Sequence, residues 1–186
     1  MAGFLGLQER SQYLRPKQAR RNISYHYDLG NDFYKLWLDD TMTYSSALFT
    51  DEAPQTLESA QVAKYASMVD QMGVSRGDHV LEVGCGWGGF AEYAAKERGL
   101  KVTCLTISAE QFNYAQERIE NAGVSDLVNF KLQDYRDERG IYDGIASIEM
   151  FEAVGEQYWP SYFNMLRDRL KPGKLATLQI ITVPDR

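Results

Sequence analysis

Cysteine and histidine are scarce in this chain: its 186 residues hold two of each. Cys85 and Cys104 form no CxxC pair and have no histidine pair nearby. A structural zinc site takes about four such ligands, so no metal site is expected. Nor do two cysteines make the disulfide framework of a small secreted domain, and a reducing, cytoplasmic setting is the expectation. No apolar run approaches the ~20 residues needed to cross a bilayer. The short apolar start, Met1 to Leu7, is broken by Gln8, Glu9 and Arg10 and lacks the pattern of a signal peptide. Any meeting with a membrane is therefore expected from the aqueous side, as a peripheral contact at its inner face. Net positive charge is missing too. The formal charge is -6, which argues against general nucleic-acid binding, because phosphate neutralisation needs a basic face.

What is present suits one globular domain. Hydrophobic residues make up 44% and charged residues 25%, ordinary proportions for a chain that buries its own core. The first 55 residues differ from the rest. Arg10, Arg15, Lys17, Arg20 and Arg21 concentrate positive charge, and an aromatic stretch follows with Tyr25, Tyr27, Phe33, Tyr34 and Trp37 around His26. Asn31 is in position to cap a short helix over 32–38, and residues 43–46 read as a loop. We expect residues 1–55 to form a cover over a site built by residues 56–186.

From residue 56 the pattern is regular. Leu57, Tyr65, Met68, Val69 and Met72 recur at helical spacing up to Gly73. Short apolar runs at 79–83, 101–106, 128–132, 142–148 and 175–183 read as strands. Helices are expected at 90–98, at 108–121 with Ser108 as cap, and at 158–170, where Pro172 and Gly173 stop the last one. Such alternation implies a mostly parallel sheet with helices on both faces, and a ligand beyond the carboxyl ends of its strands. An apolar fifth strand at the chain's end would leave a sheet edge open, and we expect a sheet truncated there.

The most informative segment is Glu82-Val83-Gly84-Cys85-Gly86-Trp87-Gly88-Gly89. Glycines after a strand let the backbone turn sharply and come close to a ligand. The spacing of Gly84, Gly86 and Gly89 also meets a dinucleotide pattern, which alone is weak. Two features turn away from a nicotinamide cofactor. Glu82 is suited to a cationic or amino-bearing ligand, and the second strand ends in Leu105-Thr106, without the acidic residue that takes a ribose.

Four blocks in order, YHYDLGNDFYKLWLDDTMTYSSALF, VLEVGCGWGG, LTISAEQ and SIEMFEAVG followed by LKPG, resemble the cyclopropane fatty acid synthase and mycolic acid cyclopropane synthase family. The resemblance runs from about Tyr25 onward and implies a Rossmann-like, S-adenosylmethionine-dependent methyltransferase fold. It implies that Tyr44 and Ser45 close over S-adenosyl-L-methionine, and that Gly84, Gly86 and Gly88 pass under its amino-acid portion with Cys85 and Trp87 between them and Glu82 nearby. Thr106 and Gln111 are implied on the ribose and adenine side, with Tyr135 beside the adenine. Glu152 falls where the family's glutamate helps hold a bicarbonate ion that acts as base. The implied partner is an unsaturated acyl phospholipid at the membrane surface, with oligomeric state, a dimer included, left open. Tyr25, Tyr27, Phe33, Tyr34, Trp37 and Tyr44 are candidates for lining an acyl tunnel.

Three positions depart from the family pattern. Ser46 stands for a cysteine, Ala153 for the histidine of FEH, and Gln179 for a later histidine. Ser46 and Gln179 still offer hydrogen-bond donors, and with Glu152 they are the catalytic candidates. Glu149 and Glu152, three apart, read as facing alike on a helical turn. Three readings stay open: a cyclopropane synthase, a methyl-branching methyltransferase on a lipid or other small-molecule alkene, and a non-catalytic cofactor-binding module. His79 is expected at the surface, Cys85 as a small buried thiol and Cys104 as core.

Overall fold

A computed structural model describes residues 30–50 and 55–183. The elements used below are α1 (Asn31–Tyr34), α2 (Leu57–Met72), β1 (His79–Val83), α3 (Gly89–Lys96), β2 (Lys101–Thr106), α4 (Ala109–Asn121), β3 (Val128–Leu132), β4 (Tyr142–Ile148), α5 (Trp159–Arg169) and β5 (Leu170–Gln179). All five strands are parallel, in the order β3-β2-β1-β4-β5. The chain thus works outward from β1 in one direction and then restarts on its other side. This is the Rossmann-like arrangement, and the switch lies between β1 and β4, where such sheets bind ligands.

Local chemistry explains where the elements start and stop. Thr56 caps α2 by accepting from Ser59 N, and Gly73 ends it in the left-handed region. Ser108 caps α4 by accepting from Gln111 N at 3.3 Å, as its position predicts. Successive side chains of β1 point to opposite faces. Val80 therefore joins Met68, Met72, Phe90 and Ile119 beneath α2, α3 and α4, while Leu81 and Val83 join Tyr162, Met165 and Leu166 beneath α5. Cys85 and Cys104 are both buried, the latter in the first of these clusters, as expected.

Four expectations need correction. Asn31 does not cap a helix over 32–38: α1 is a single turn with Gly30 before it, and the Asn31 side chain instead accepts from the Trp87 indole N–H at 2.7 Å. His79 is half-buried rather than freely exposed at the surface. Its Nε2 pairs with Thr103 Oγ1 at 2.9 Å and its ring packs edge-on against Tyr142. The last strand begins at Leu170, and Pro172 and Gly173 lie within it, in an irregularity between the pairings Tyr142–Leu170 and Gly144–Leu175. A proline is tolerated there because it falls in that irregularity, near the start of the strand, and Lys171 and Lys174 pin the segment to Asp143 and Asp78. Glu149 and Glu152 do not share a helical turn: Glu149 follows β4 with φ of 47°, and Glu152 sits in a separate 3₁₀ turn.

The contact of α2 with α3 is tight enough to test. A Cβ at Gly89 would lie 2.6 Å from Tyr65 Oη, a hydroxyl already bonded to Thr43 Oγ1 at 2.9 Å. Gly89→Ala is expected to lose about 1–3 kcal/mol through overpacking. Without the hydroxyl, Tyr65→Phe should relieve that loss, so the pair should be strongly non-additive in a urea-unfolding cycle. Additive losses would show that the contact is not the limiting one.

Candidate active site

A cleft opens at the carboxyl ends of β1, β2 and β4, and the local sequence dictates its floor. The backbone leaves β1 through Gly84 at φ 82°, where Gly84 N and Cys85 N both donate to Leu105 O at the end of β2. Gly86 and Gly88 follow, also at positive φ, and α3 starts at Gly89. Two of these positions have no room for a side chain. A Cβ on Gly84 would come within 2.8 Å of Met150 Cγ, and one on Gly88 within 3.0 Å of Ala115 Cβ. Gly88 packs the loop onto α4, while Glu82, Gly84, Cys85, Gly86 and Trp87 line the cleft.

Three walls complete it. Thr106 and Gln111, both buried, are joined at 3.0 Å by a bond from the Thr106 hydroxyl to Gln111 Oε1, which leaves Gln111 its amide N–H groups to offer a ligand. Tyr135 and Tyr158 stand farther round the cleft, with Asp134 held rigid by two bonds from Arg136, at 2.8 and 2.6 Å. Met42, Thr43, Tyr44 and Ser45 supply the wall drawn from the first 55 residues. Of the tunnel candidates, Tyr44 lines the cleft, whereas Phe33, Tyr34 and Trp37 cluster beside it, with Tyr34 packed 4.9 Å from the Trp87 ring. Tyr25, His26, Tyr27 and the basic run lie outside the described residues.

The loop bearing Tyr44 and Ser45 is fastened from beneath by a pair of α2 side chains that the sequence reading overlooked. Gln61 donates to Ser45 O at 2.8 Å and Lys64 Nζ to Ser45 Oγ at 2.5 Å. Residues three apart share a helix face, and the signal was there to see: two polar residues on the face that also carries Ala60, Tyr65 and Met68. Burial pulls the Lys64 ammonium down to about 8, against the opposing pull of Glu149, Asp39 and Glu82. Glu82 points with Val80 toward α2. Burial pushes its carboxyl up to about 8, with Cys104, Arg118 and Lys64 pulling the other way.

The remaining candidates meet at the rim. Ser46 N donates to Glu149 Oε1 at 2.8 Å, and Gln179 Nε2 donates to the same oxygen at 2.8 Å and to Ser46 O at 3.2 Å. Glu152 accepts from Ile181 N. Glu149 lines the cleft; Ser46, Glu152 and Gln179 are outside its lining. Among the described residues no group of three or more His, Cys, Asp or Glu is disposed to hold a metal ion, and no helix is long and apolar enough to cross a membrane.

Comparison with known proteins decides the family. The mycolic acid cyclopropane synthetase family matches residues 14–186. The chain belongs to this family. It is 46% identical over 173 residues to the tuberculostearic acid methyltransferase of Mycobacterium tuberculosis, covering 90% of this chain and 40% of that protein. It is 44% identical over 156 residues to the cyclopropane-fatty-acyl-phospholipid synthase of Escherichia coli K12, covering 84% and 39%. The crystal structure of mycolic acid cyclopropane synthase CmaA1 complexed with SAH and CTAB superposes with a TM-score of 0.80 at 31% identity, over 87% of this chain and 55% of that one. This synthetase-family chain therefore spans about two-fifths of the length of those curated relatives.

Proposed function

We propose that this chain binds S-adenosyl-L-methionine in the cleft and belongs to an enzyme that transfers its methyl carbon to the cis double bond of an unsaturated phospholipid acyl chain. The observation that carries the reading is the cleft itself: a Glu82–Gly89 turn at the switch point, a buried Thr106–Gln111 pair on one side and the fastened Tyr44–Ser45 loop on the other. Those residues fit the cofactor's chemistry. A backbone without side chains at Gly84 and Gly86 suits close approach of the amino-acid portion, Glu82 suits its positive charge, and the Gln111 amide suits the acceptors of ribose or adenine. Tyr135 supplies an aromatic face.

The bound cofactor supplies an electrophilic methyl on a sulfonium. The alkene takes that methyl, and positive charge develops on the other alkene carbon. This chain's part is to hold the two reactants together, keep water out and set aromatic faces and a carboxylate near the charge. Tyr44 and Tyr158, which line the cleft, are suited to that part. The wall formed by residues 42–45 acts as part of a cover, and the enzyme works at the membrane surface from the aqueous side. A bound bicarbonate, which the resemblance implies, fits poorly: the Ser46 and Gln179 donors already serve Glu149, and the Ile181 N–H serves Glu152.

The product is either a ring or a methyl branch. Ser46, Ala153 and Gln179, where the resemblance places cysteine and two histidines, favour keeping the branch in view. Cells expressing the full-length gene and fed methyl-labelled methionine are expected to carry the label on unsaturated acyl chains, and fragmentation separates ring from branch. Unlabelled acyl chains, with cofactor binding intact, would turn the reading toward a different alkene or a binding module.

A further inference from the structure

We infer that the Glu149 carboxylate is the base of the reaction, standing in the place where the family resemblance calls for a bound bicarbonate; this rests on the function proposed above. Ser46 and Gln179, the two hydrogen-bond donors among the catalytic candidates, converge on a carboxylate belonging to the chain. Both donate to Glu149 Oε1 at 2.8 Å. Ser46 reaches it through its backbone N–H, so the change from cysteine does not weaken that bond. Both bonds fall on Oε1, and among the described residues Oε2 keeps its lone pairs for a proton.

The backbone supports a role beyond tethering. Glu149 has φ 47°, in the region that favours glycine, and it is one of two non-glycine residues there among those described. Strain of this kind persists where surrounding structure enforces it, commonly at working sites. Here Glu149 N donates to Gln179 O at 2.9 Å, so β5 holds the strained residue at the end of β4 with its carboxylate on the cleft. Glu152, engaged by Ile181 N, is outside the lining. A second anion beside Glu149 would meet like charge and donors already engaged.

The step balances without another reactant. As the carbon–sulfur bond breaks, a carbon–carbon bond forms at one alkene carbon and the positive charge falls on the other. A C–H bond of the added methyl, or of a neighbouring carbon, then gives its electron pair to that centre, closing a ring or forming a new alkene. Its proton passes to Glu149 Oε2 and later to water.

Two variants of the full-length protein test this. Glu149→Gln keeps an oxygen acceptor for Ser46 and Gln179 and removes only the basicity. It should lower kcat by about 10²–10⁴-fold and leave the cofactor Kd within a few-fold. Glu149→Gly suits the positive φ and opens the anion position, so bicarbonate should restore turnover to it, while wild type runs at one rate in carbon-dioxide-depleted and bicarbonate-supplemented buffer. Independently of turnover, carbon-13 bicarbonate should show NMR line broadening with Glu149→Gly and none with wild type. A Glu149→Gln enzyme within threefold of wild-type kcat, a wild-type rate that follows bicarbonate, or bicarbonate binding by wild type would overturn the inference. If wild type transfers no methyl to any unsaturated phospholipid, the proposed function fails instead, and the bicarbonate-binding comparison still decides whether Glu149 fills the anion position.

Discussion

Gly84→Ala is expected to cost about 2–5 kcal/mol, divided between fold stability and cofactor affinity. Two physical effects add. An alanine at φ 82° carries left-handed strain of about 1–2 kcal/mol, and its Cβ would sit 2.8 Å from Met150 Cγ. Met150 lines the cleft, so a shift of its side chain reshapes the space proposed for the cofactor. Gly86→Ala is the control: its φ is 51° and nothing lies within 4 Å of the added Cβ, so it carries the strain without the collision. Thermal unfolding should place Gly84→Ala roughly 5–15 °C below wild type, with a smaller loss for Gly86→Ala. Titration with S-adenosylmethionine should show both variants weakened, since both glycines lie along the proposed cofactor; the collision with Met150 is read from stability. Equal losses in the two variants would mean that Met150 adjusts freely and the collision is harmless.

The second large effect is expected at Glu82. Its carboxyl is buried, and burial raises it from the ordinary 4.5 to about 8. Between those two values the folded chain holds a proton that the unfolded chain has lost, so stability falls as pH rises. The contribution is intact below about pH 4.5, declines by about 1.4 kcal/mol per pH unit across the window, and levels off above pH 8 after a loss of roughly 5 kcal/mol. Glu82→Gln removes this slope at the cost of about 1–3 kcal/mol for an amide lacking full partners. Urea unfolding without ligand should therefore find the glutamine variant more stable than wild type at pH 8.5, by about 2–4 kcal/mol, and no more stable at pH 5. Cofactor binding should do the reverse. A cation beside Glu82 favours the carboxylate, so wild type should release close to one proton on binding at pH 7, seen as a buffer-dependent calorimetric heat. The variant should release none and bind on the order of 10–100-fold more weakly. A flat stability profile in wild type, or binding heat independent of buffer, would refute this account of Glu82.

The two residues also show what kind of information a sequence carries. The turn at Gly84–Gly89 was legible because it is local: glycines directly after an apolar run leave few conformations that join a strand to a helix. The caps at Ser108 and Gly73 were legible for the same reason, and so was the alternation that makes the sheet parallel. Positions 171–174 were misread because proline and glycine usually end an element. Their place inside β5 depends on the irregular pairing with β4 and on Asp143 and Asp78, which draw in Lys171 and Lys174. Asn31 was misread for a related reason, since the Trp87 indole N–H takes the side-chain oxygen that a helix cap would use.

The sequence by itself determined the fold class, the glycine turn, the family and part of the cleft's lining, all of which rest on local propensity, periodicity or short contiguous motifs. Only the tertiary structure decided how those pieces act on one another. Gln61 and Lys64 fasten Ser45 from another helix, Glu82 acquires its raised proton affinity from the layers packed over it, and Ser46 meets Glu149 across 103 positions of chain. Hydrogen bonds and desolvation act over a few ångströms of space and are indifferent to separation along the chain. The partners of a side chain, and through them its charge, are therefore settled when the sheet and helices close.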